Sequence, residues 1–240
     1  MFHFTDAYLW YLFPTGANRV YGYEPVTNQS FESHALSPGT NVSIKDNSYS
    51  LHIPKGNEVI LGQFADPCLE SGSVCDSFTI SLLVYIDGSV QLDEKVNVLD
   101  TKSLSRGLYH VEFMVTKKRA RLEGHAFIVG GNSSTLLERK VEFPASDTWV
   151  HVAIVYSLSG SLDLYMNSVM VTASDPVIST PWQNDGSAVQ VSLGSTLNKR
   201  DIFVSYFQII KGSLSTEEVA QLEQETRKQG KYVWLKINKN

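Results

Sequence analysis

Residues 78–86 read FTISLLVYI, and they alternate in period two: Phe78, Ile80, Leu82, Val84 and Ile86 fall on one face, Thr79, Ser81, Leu83 and Tyr85 on the other. Successive side chains of a strand point to opposite faces, so the stretch predicts a β-strand whose first set enters a core. The same pattern extends along the chain. In YHVEFMVT (109–116), Tyr109, Val111, Phe113 and Val115 oppose His110, Glu112, Met114 and Thr116. It recurs at Val150, Val152, Ile154 and Tyr156, at Leu162, Leu164 and Met166, at Val189, Val191 and Leu193, and at Ile202, Val204 and Tyr206. Each of these strands is expected to bury one face. Tyr8 to Phe13 reads as the first strand.

Turn signals punctuate them: DGS at 87–89, KKR at 117–119, GGNSS at 130–134, LSGS at 158–161 and NDGS at 184–187. Many short strands with such punctuation, and no helical crossovers between them, predict an all-β sandwich or barrel. The exception lies at the C-terminus, where Ser215 followed by Glu218 forms a capping box ahead of a stretch rich in Glu, Gln, Leu and Ala. A helix over about 216–229 is expected there, with Gly230 as its stop and Val219 and Leu222 on the side that meets the sheets. No repeat of fixed period and no low-complexity linker divides the chain, so residues 1–240 are read as one domain.

Composition narrows the function classes. Apolar residues make up 42% and charged residues 19%, and 20 basic against 25 acidic side chains leave a net charge of −5. A nucleic-acid binder shows a net basic footprint, so nucleic acid is excluded as a partner. The apolar runs, such as AYLWYLF at 7–13, are far shorter than the roughly 20 residues of a spanning helix, so no transmembrane segment is expected. The first residues lack a basic run, carry Asp6 and show no small-residue cleavage site, so they do not read as a signal peptide.

The two cysteines, Cys68 and Cys75, are separated by LESGSV. Bridged, they would close a short loop worth roughly 2.5 kcal/mol in chain entropy; unbridged, they would be free thiols of a reducing compartment. The spacing suits a stapled turn better than zinc, which would want further thiols or histidines at ligand spacing. Three sequons stand at Asn28, Asn41 and Asn132; they are candidate glycosylation sites, compatible with secretion.

Catalytic signatures are scarce. There is no GxSxG elbow and no phosphate-cradling glycine loop after a strand. The six histidines, at 3, 34, 52, 110, 125 and 151, show no i, i+2 or i, i+4 pairing. His110 and His151 sit inside strands and are expected to be packed or hydrogen-bonded structural residues. A sandwich glycosidase needs two carboxylates about 5 to 9 Å apart; the E-x-D-x-x-E arrangement that sandwich-fold glucanases use for this is absent, so no catalytic residue and no metal ligand is assigned. Binding features are better represented. Lys117, Lys118, Arg119 and Arg121 cluster at a hairpin tip, where cations attract polyanions. Asp87, Asp100, Asp175 and Asp185 lie in loops and could supply oxygen ligands to Ca²⁺, although no D-x-D-x-D run concentrates them. Trp182 lies in the loop PWQNDG, where an exposed indole could stack on a sugar or anchor a protein.

DTWVHVAIVYSLSGSLDLYMNS, residues 147–168, resembles the most recognisable part of laminin-G-like, or concanavalin-like (pentraxin-like), jelly-roll domains of animal extracellular proteins. In these a Trp precedes H-V-A, a turn containing Gly, and L-x-L-Y-x-N-G. PCLESGSVCDSFTISLLVYI at 67–86 is similar to the variant with a short Cys loop before the strand. SLGS at 192–195 matches the L-G strand, and IFVSYFQIIKGSLSTEEV at 202–219 resembles the closing strand and C-terminal helix. Ser168 departs from the pattern, standing where a Gly usually follows Asn167 and where a tight turn wants positive φ.

The resemblance covers about residues 50–225. It implies a two-sheet antiparallel jelly-roll with a short C-terminal helix, an extracellular location, and a Cys68–Cys75 disulfide. Fold does not carry function across such a group. The expectation is a recognition or adhesion module of a larger cell-surface or secreted protein, without cofactor, binding a protein or glycan non-covalently through rim loops. The rival readings are a calcium-dependent lectin, a sandwich-fold glycan hydrolase or lyase, and a homo-oligomer formed by pairing of an edge strand.

Overall fold

The structure is a computed structural model, and it describes residues 7–12, 21–24, 29–32, 39–46, 48–64, 74–75, 77–103, 110–119, 121–130, 135–157, 161–171, 182–183 and 189–237. In chain order the strands are β1 (Ala7–Leu12), β2 (Tyr21–Glu24), β3 (Gln29–Glu32), β4 (Asn41–Lys45), β5 (Ser48–Ile53), β6 (Glu58–Phe64), β7 (Val74–Cys75), β8 (Phe78–Ile86) and β9 (Lys95–Ser103). They continue as β10 (His110–Lys118), β11 (Arg121–Gly130), β12 (Thr135–Phe143), β13 (Val150–Tyr156), β14 (Leu162–Met166), β15 (Val169–Val171), β16 (Trp182–Gln183), β17 (Val189–Gly194) and β18 (Ile202–Lys211), before helix α1 (Thr216–Ile237).

Two antiparallel sheets pack face to face. The first runs β15-β14-β13-β8-β18, and β18 then divides its far edge between two hairpin systems. Its opening residues pair with β5, Ile202 opposite Ile53, while Phe207 pairs with Tyr11 of β1, beyond which lie β2 and β3. The N-terminal strand is therefore part of the sandwich. The second sheet runs β12-β11-β10-β9-β17-β6. Between them Leu82, Ile86, Ile154 and Phe207 meet Leu61, Leu99, Phe113 and Phe143, all of them out of solvent.

Three sequence expectations are corrected by the packing. β8 and β13 were expected to bury one face each, but every residue in both is buried. Over β13 and β14 the cause is Val219 of α1, which with Leu214 and Met170 packs on the outward Ala153, Val155 and Tyr165; over β8, Lys45, Trp149 and Phe203 cover Tyr85, and Gly212 and Leu214 bond Thr79. Tyr206 was expected on the face of Ile202 and Val204. A β-bulge between Val204 and Tyr206 shifts the phase, so Phe207 and Ile209 enter the core and Tyr206 faces outward. Finally, α1 does not stop at Gly230 but continues to Ile237. Glycine in a helix interior costs only about 1 kcal/mol relative to alanine, which a docked helix of 22 residues absorbs.

The start of α1 follows the sequence. The Glu218 N–H donates to Ser215 Oγ at 3.3 Å and the Ser215 N–H donates to Glu218 Oε2 at 2.7 Å, a reciprocal capping box. Where β17 ends, Gly194 has φ of 77°, and a Cβ there would lie 2.9 Å from the Asn57 carbonyl oxygen and 2.9 Å from Ile53 Cγ2. Only glycine fits that passage.

Candidate functional site

The turns at one end of the sandwich are lashed together although they are far apart in sequence. The Asp93 N–H donates to the Lys117 carbonyl at 3.0 Å, joining the 91–94 turn to the β10–β11 hairpin tip. Arg200 Nε donates to Glu94 Oε1 at 3.1 Å, and the Asn198 carboxamide bridges Asn97 through bonds of 2.9 Å and 2.8 Å. The Gly56 N–H donates to the Asn198 carbonyl at 2.8 Å and the Asp87 N–H to the Asp201 carbonyl at 3.0 Å. Asp147 caps this end from the 144–149 loop, accepting from the Gly88 N–H at 2.7 Å. Loops held by a rigid scaffold in this way are where binding residues concentrate.

All four predicted cations of the hairpin lie at this end. Lys117 is half-buried, Lys118, Arg119 and Arg121 are exposed, and Arg119 turns the hairpin with φ of 55°. Arg121 is paired weakly, at 3.6 Å from Glu142 with both side chains largely in solvent. Among the described residues no carboxylate pairs with Lys118 or Arg119. The exposed Lys95 and Lys199 flank the same turns.

On the outward face of the first sheet, beside this end, Lys45 folds over aromatic rings. Its ammonium is 4.5 Å from the Tyr85 ring centre and 4.9 Å from that of Phe203, and it donates to Asp87 Oδ1 at 2.8 Å. The Asp87 bond raises the Lys45 pKa above its ordinary value. Trp149 meets Tyr85 edge-on and donates from Nε1 to the Lys45 carbonyl at 3.3 Å. His52 stacks on Phe203 at 4.6 Å and contacts Asp201 Oδ2 at 2.8 Å. Burial pushes the Asp201 carboxyl upward, but the Lys55 N–H, His52 and the Lys55 charge together hold it below its ordinary value.

Asp87 is thus committed to Lys45. Asp100 lies in β9, and Asp175 and Asp185 lie outside the described residues. Among the described residues no three His, Cys, Asp or Glu side chains converge to hold a metal ion. Cys68, Asn28 and Asn132 also lie outside the described residues, whereas Asn41 is exposed at the start of β4. Trp182 was expected in a loop; its backbone forms a two-residue bridge with β7, opposite Cys75.

Two histidine clusters carry information that spacing alone does not. His125, on the outward face of the second sheet, is only 4% exposed. Its Nε2 is 2.9 Å from Thr116 Oγ1 and 3.4 Å from Glu123 Oε2, and its Nδ1 is 3.3 Å from Glu138 Oε1, which also pairs with Lys140 at 3.0 Å. Burial raises the Glu138 pKa, and Lys140 and His125 more than reverse that, leaving it lowered. The members of this cluster lie on three strands, so residue spacing does not reveal it; alternation places each on the outer face, but only register brings them together.

His151 lies beneath α1, fully out of solvent, with Nε2 2.9 Å from Ser81 Oγ and no hydrogen-bond partner for Nδ1. Asn167 Oδ1 accepts from the His151 N–H at 3.0 Å and from Arg227 Nη2 at 2.9 Å, while Arg227 Nε donates to Glu223 Oε1 at 2.7 Å. Ser168 Oγ also donates to Glu223. Burial lowers the His151 pKa from 6.5 to about 4, the Glu223 charge opposing and the Arg227 charge adding to the fall. His151 is therefore neutral, the structural residue expected from its place in a strand; the side chain of His110 lies outside the described residues.

This arrangement, two twisted antiparallel sheets with a helix closing one outer face and loops tied at one end, defines the laminin-G-like class of jelly-roll. The family model described as concanavalin A-like lectin/glucanases superfamily, of laminin-G type, matches residues 61–220. The chain belongs to that superfamily. No curated protein matches it by sequence alone.

Among solved structures, the botulinum neurotoxin serotype D binding domain superposes with a TM-score of 0.70 at 12% identity, covering 92% of this chain and 51% of the toxin domain. A botulinum neurotoxin type C structure, whose cell entry depends on interaction with two ganglioside molecules, gives 0.69 at 10% identity with 92% and 51% coverage. The binding domain of neurotoxin DC, in complex with a sialylated ligand, gives 0.64 at 13% identity, again covering 92% and 51%. The chain spans about half the length of these domains, and at such identity the likeness is one of fold.

Proposed function

We propose that the chain is an extracellular recognition module of a larger cell-surface or secreted protein, binding an acidic glycan non-covalently through the tied end of the sandwich. The observation that carries the reading is the basic hairpin tip. Lys118 and Arg119 stand exposed beside Lys95 and Lys199, on turns fixed by side-chain and backbone hydrogen bonds. Cations held on a rigid frame bind a polyanion with little ordering cost. The glycan ligands named for the toxin domains of the same fold agree with this class of partner. A protein with an acidic surface would use the same contacts. The module acts as one domain without catalysis or cofactor; an incubation with polysaccharides that produced new reducing ends would refute that part.

The test is binding of the full chain to a panel of neutral, sialylated and sulfated oligosaccharides. Acidic members are expected to bind and neutral ones not, with affinity falling as salt rises. Reversing two cations, Lys118→Glu with Arg119→Glu, should weaken binding by roughly tenfold or more. Equal binding of neutral and acidic sugars, or full affinity in the double variant, would refute the reading.

A further inference from the structure

Among the described residues four large apolar side chains stand exposed, and two of them, Leu92 at 60% and Leu197 at 81%, crown adjacent turns of the tied end. Turn apices ordinarily take Gly, Asn, Asp or Ser, so local conformation does not call for leucine at either place. Both turns are closed tightly. The Gln91 N–H donates to Glu94 Oε2 at 2.7 Å and the Glu94 N–H to the Gln91 carbonyl at 3.1 Å; the Leu197 N–H donates to Ser195 Oγ at 3.2 Å. The Arg200–Glu94 and Asn198–Asn97 bonds clamp the two turns to each other. The leucines are therefore held out of the core by a fixed backbone, within the field of exposed Lys95, Lys118, Arg119 and Lys199. Asp93, exposed on the same turn, offsets one of these cations.

We propose that the acidic ligand of this end is displayed on a bilayer, with Leu92 and Leu197 entering the zone between headgroups and acyl chains while the surrounding cations meet anionic headgroups. This rests on the reading of the same end as a polyanion contact. A soluble glycan would use the cations alone and leave both leucines in water. A lipid surface uses both features, since apolar side chains gain by leaving water at the interface and each lysine or arginine near an anionic leaflet contributes about fivefold in partitioning.

The experiment is co-sedimentation of the full chain with phosphatidylcholine vesicles and with vesicles containing about one-third phosphatidylserine, run beside binding of a soluble sulfated oligosaccharide. The chain is expected to sediment with the anionic vesicles and not the neutral ones. Leu92→Ser with Leu197→Ser should lower that partitioning by about tenfold or more, leaving oligosaccharide affinity and melting temperature unchanged because both positions are exposed. Equal partitioning of wild type and leucine variant, or oligosaccharide binding without vesicle binding, overturns the bilayer inference and leaves the proposed function standing. Failure of both ligands overturns both.

Discussion

Acidification should loosen this sandwich through His151. The imidazole is fully buried, its Nδ1 has no hydrogen-bond partner, and its folded pKa is about 4 against 6.5 in the free side chain. The groups facing it are Ser81 from β8, Asn167 and Ser168 from the β14–β15 turn, and Glu223 and Arg227 from α1. Because the folded pKa is the lower one, the unfolded chain takes up the proton first, and folding stability falls as the pH drops below the unfolded value. The loss begins near pH 6.5 and is complete below about pH 4. At about 1.4 kcal/mol per pKa unit, it amounts to about 2 kcal/mol between pH 7 and pH 5 and about 3 kcal/mol in full. That is a large share of the roughly 5 to 15 kcal/mol that holds a typical domain together.

Urea unfolding of wild type and His151→Gln at pH 7, 6 and 5 isolates the contribution, since the other titrating groups are common to both. The variant should be the less stable at pH 7, and its deficit should shrink by about 2 kcal/mol at pH 5. A deficit that stays constant across the three pH values would refute the burial of a neutral imidazole under α1. So would an NMR titration that finds His151 half-protonated near its ordinary pKa.

Three further outcomes are expected. Gly194→Ala should cost more than about 2 kcal/mol in urea unfolding, because the residue has φ of 77° and the new Cβ would meet the Asn57 carbonyl; a near-neutral effect would refute the close approach of Asn57 to the β17 exit. Ser168 has φ of 62° and bonds to Glu223. Ser168→Ala should therefore lose about 1 to 2 kcal/mol, whereas Ser168→Gly, which relieves the backbone, should stay within about 1 kcal/mol of wild type, as thermal melts would resolve. Thiol titration of the unfolded, unreduced chain should find no free thiol at Cys68 or Cys75, and reduction should lower stability by roughly 2.5 kcal/mol; two free thiols would refute the bridge.

The alternation through Phe78–Ile86 and Val150–Tyr156 was enough to read the strands, because the period-two rule is a property of the local backbone. The Ser215–Glu218 cap was legible for the same reason: its hydrogen bonds close within one turn. The segment at 147–168 carried the family, and Ser168 stood out as the one departure in its turn.

Tertiary structure decided the rest. It set which outer faces are dry: Thr79 is bonded by Gly212 and Leu214 ahead of α1, and Ser81 pairs with His151, all three side chains out of solvent. It moved Tyr206 out of the core through a bulge that no composition marks. It also gathered Lys45, Tyr85 and Phe203 from strands distant in the chain, and brought Thr116, His125 and Glu138 together across three neighbouring strands. The tied end with its leucines and cations belongs to the same group. A sequence states which side each residue takes along its own strand, whereas convergence depends on register and on what covers the sheet, and these exist only once the strands have paired.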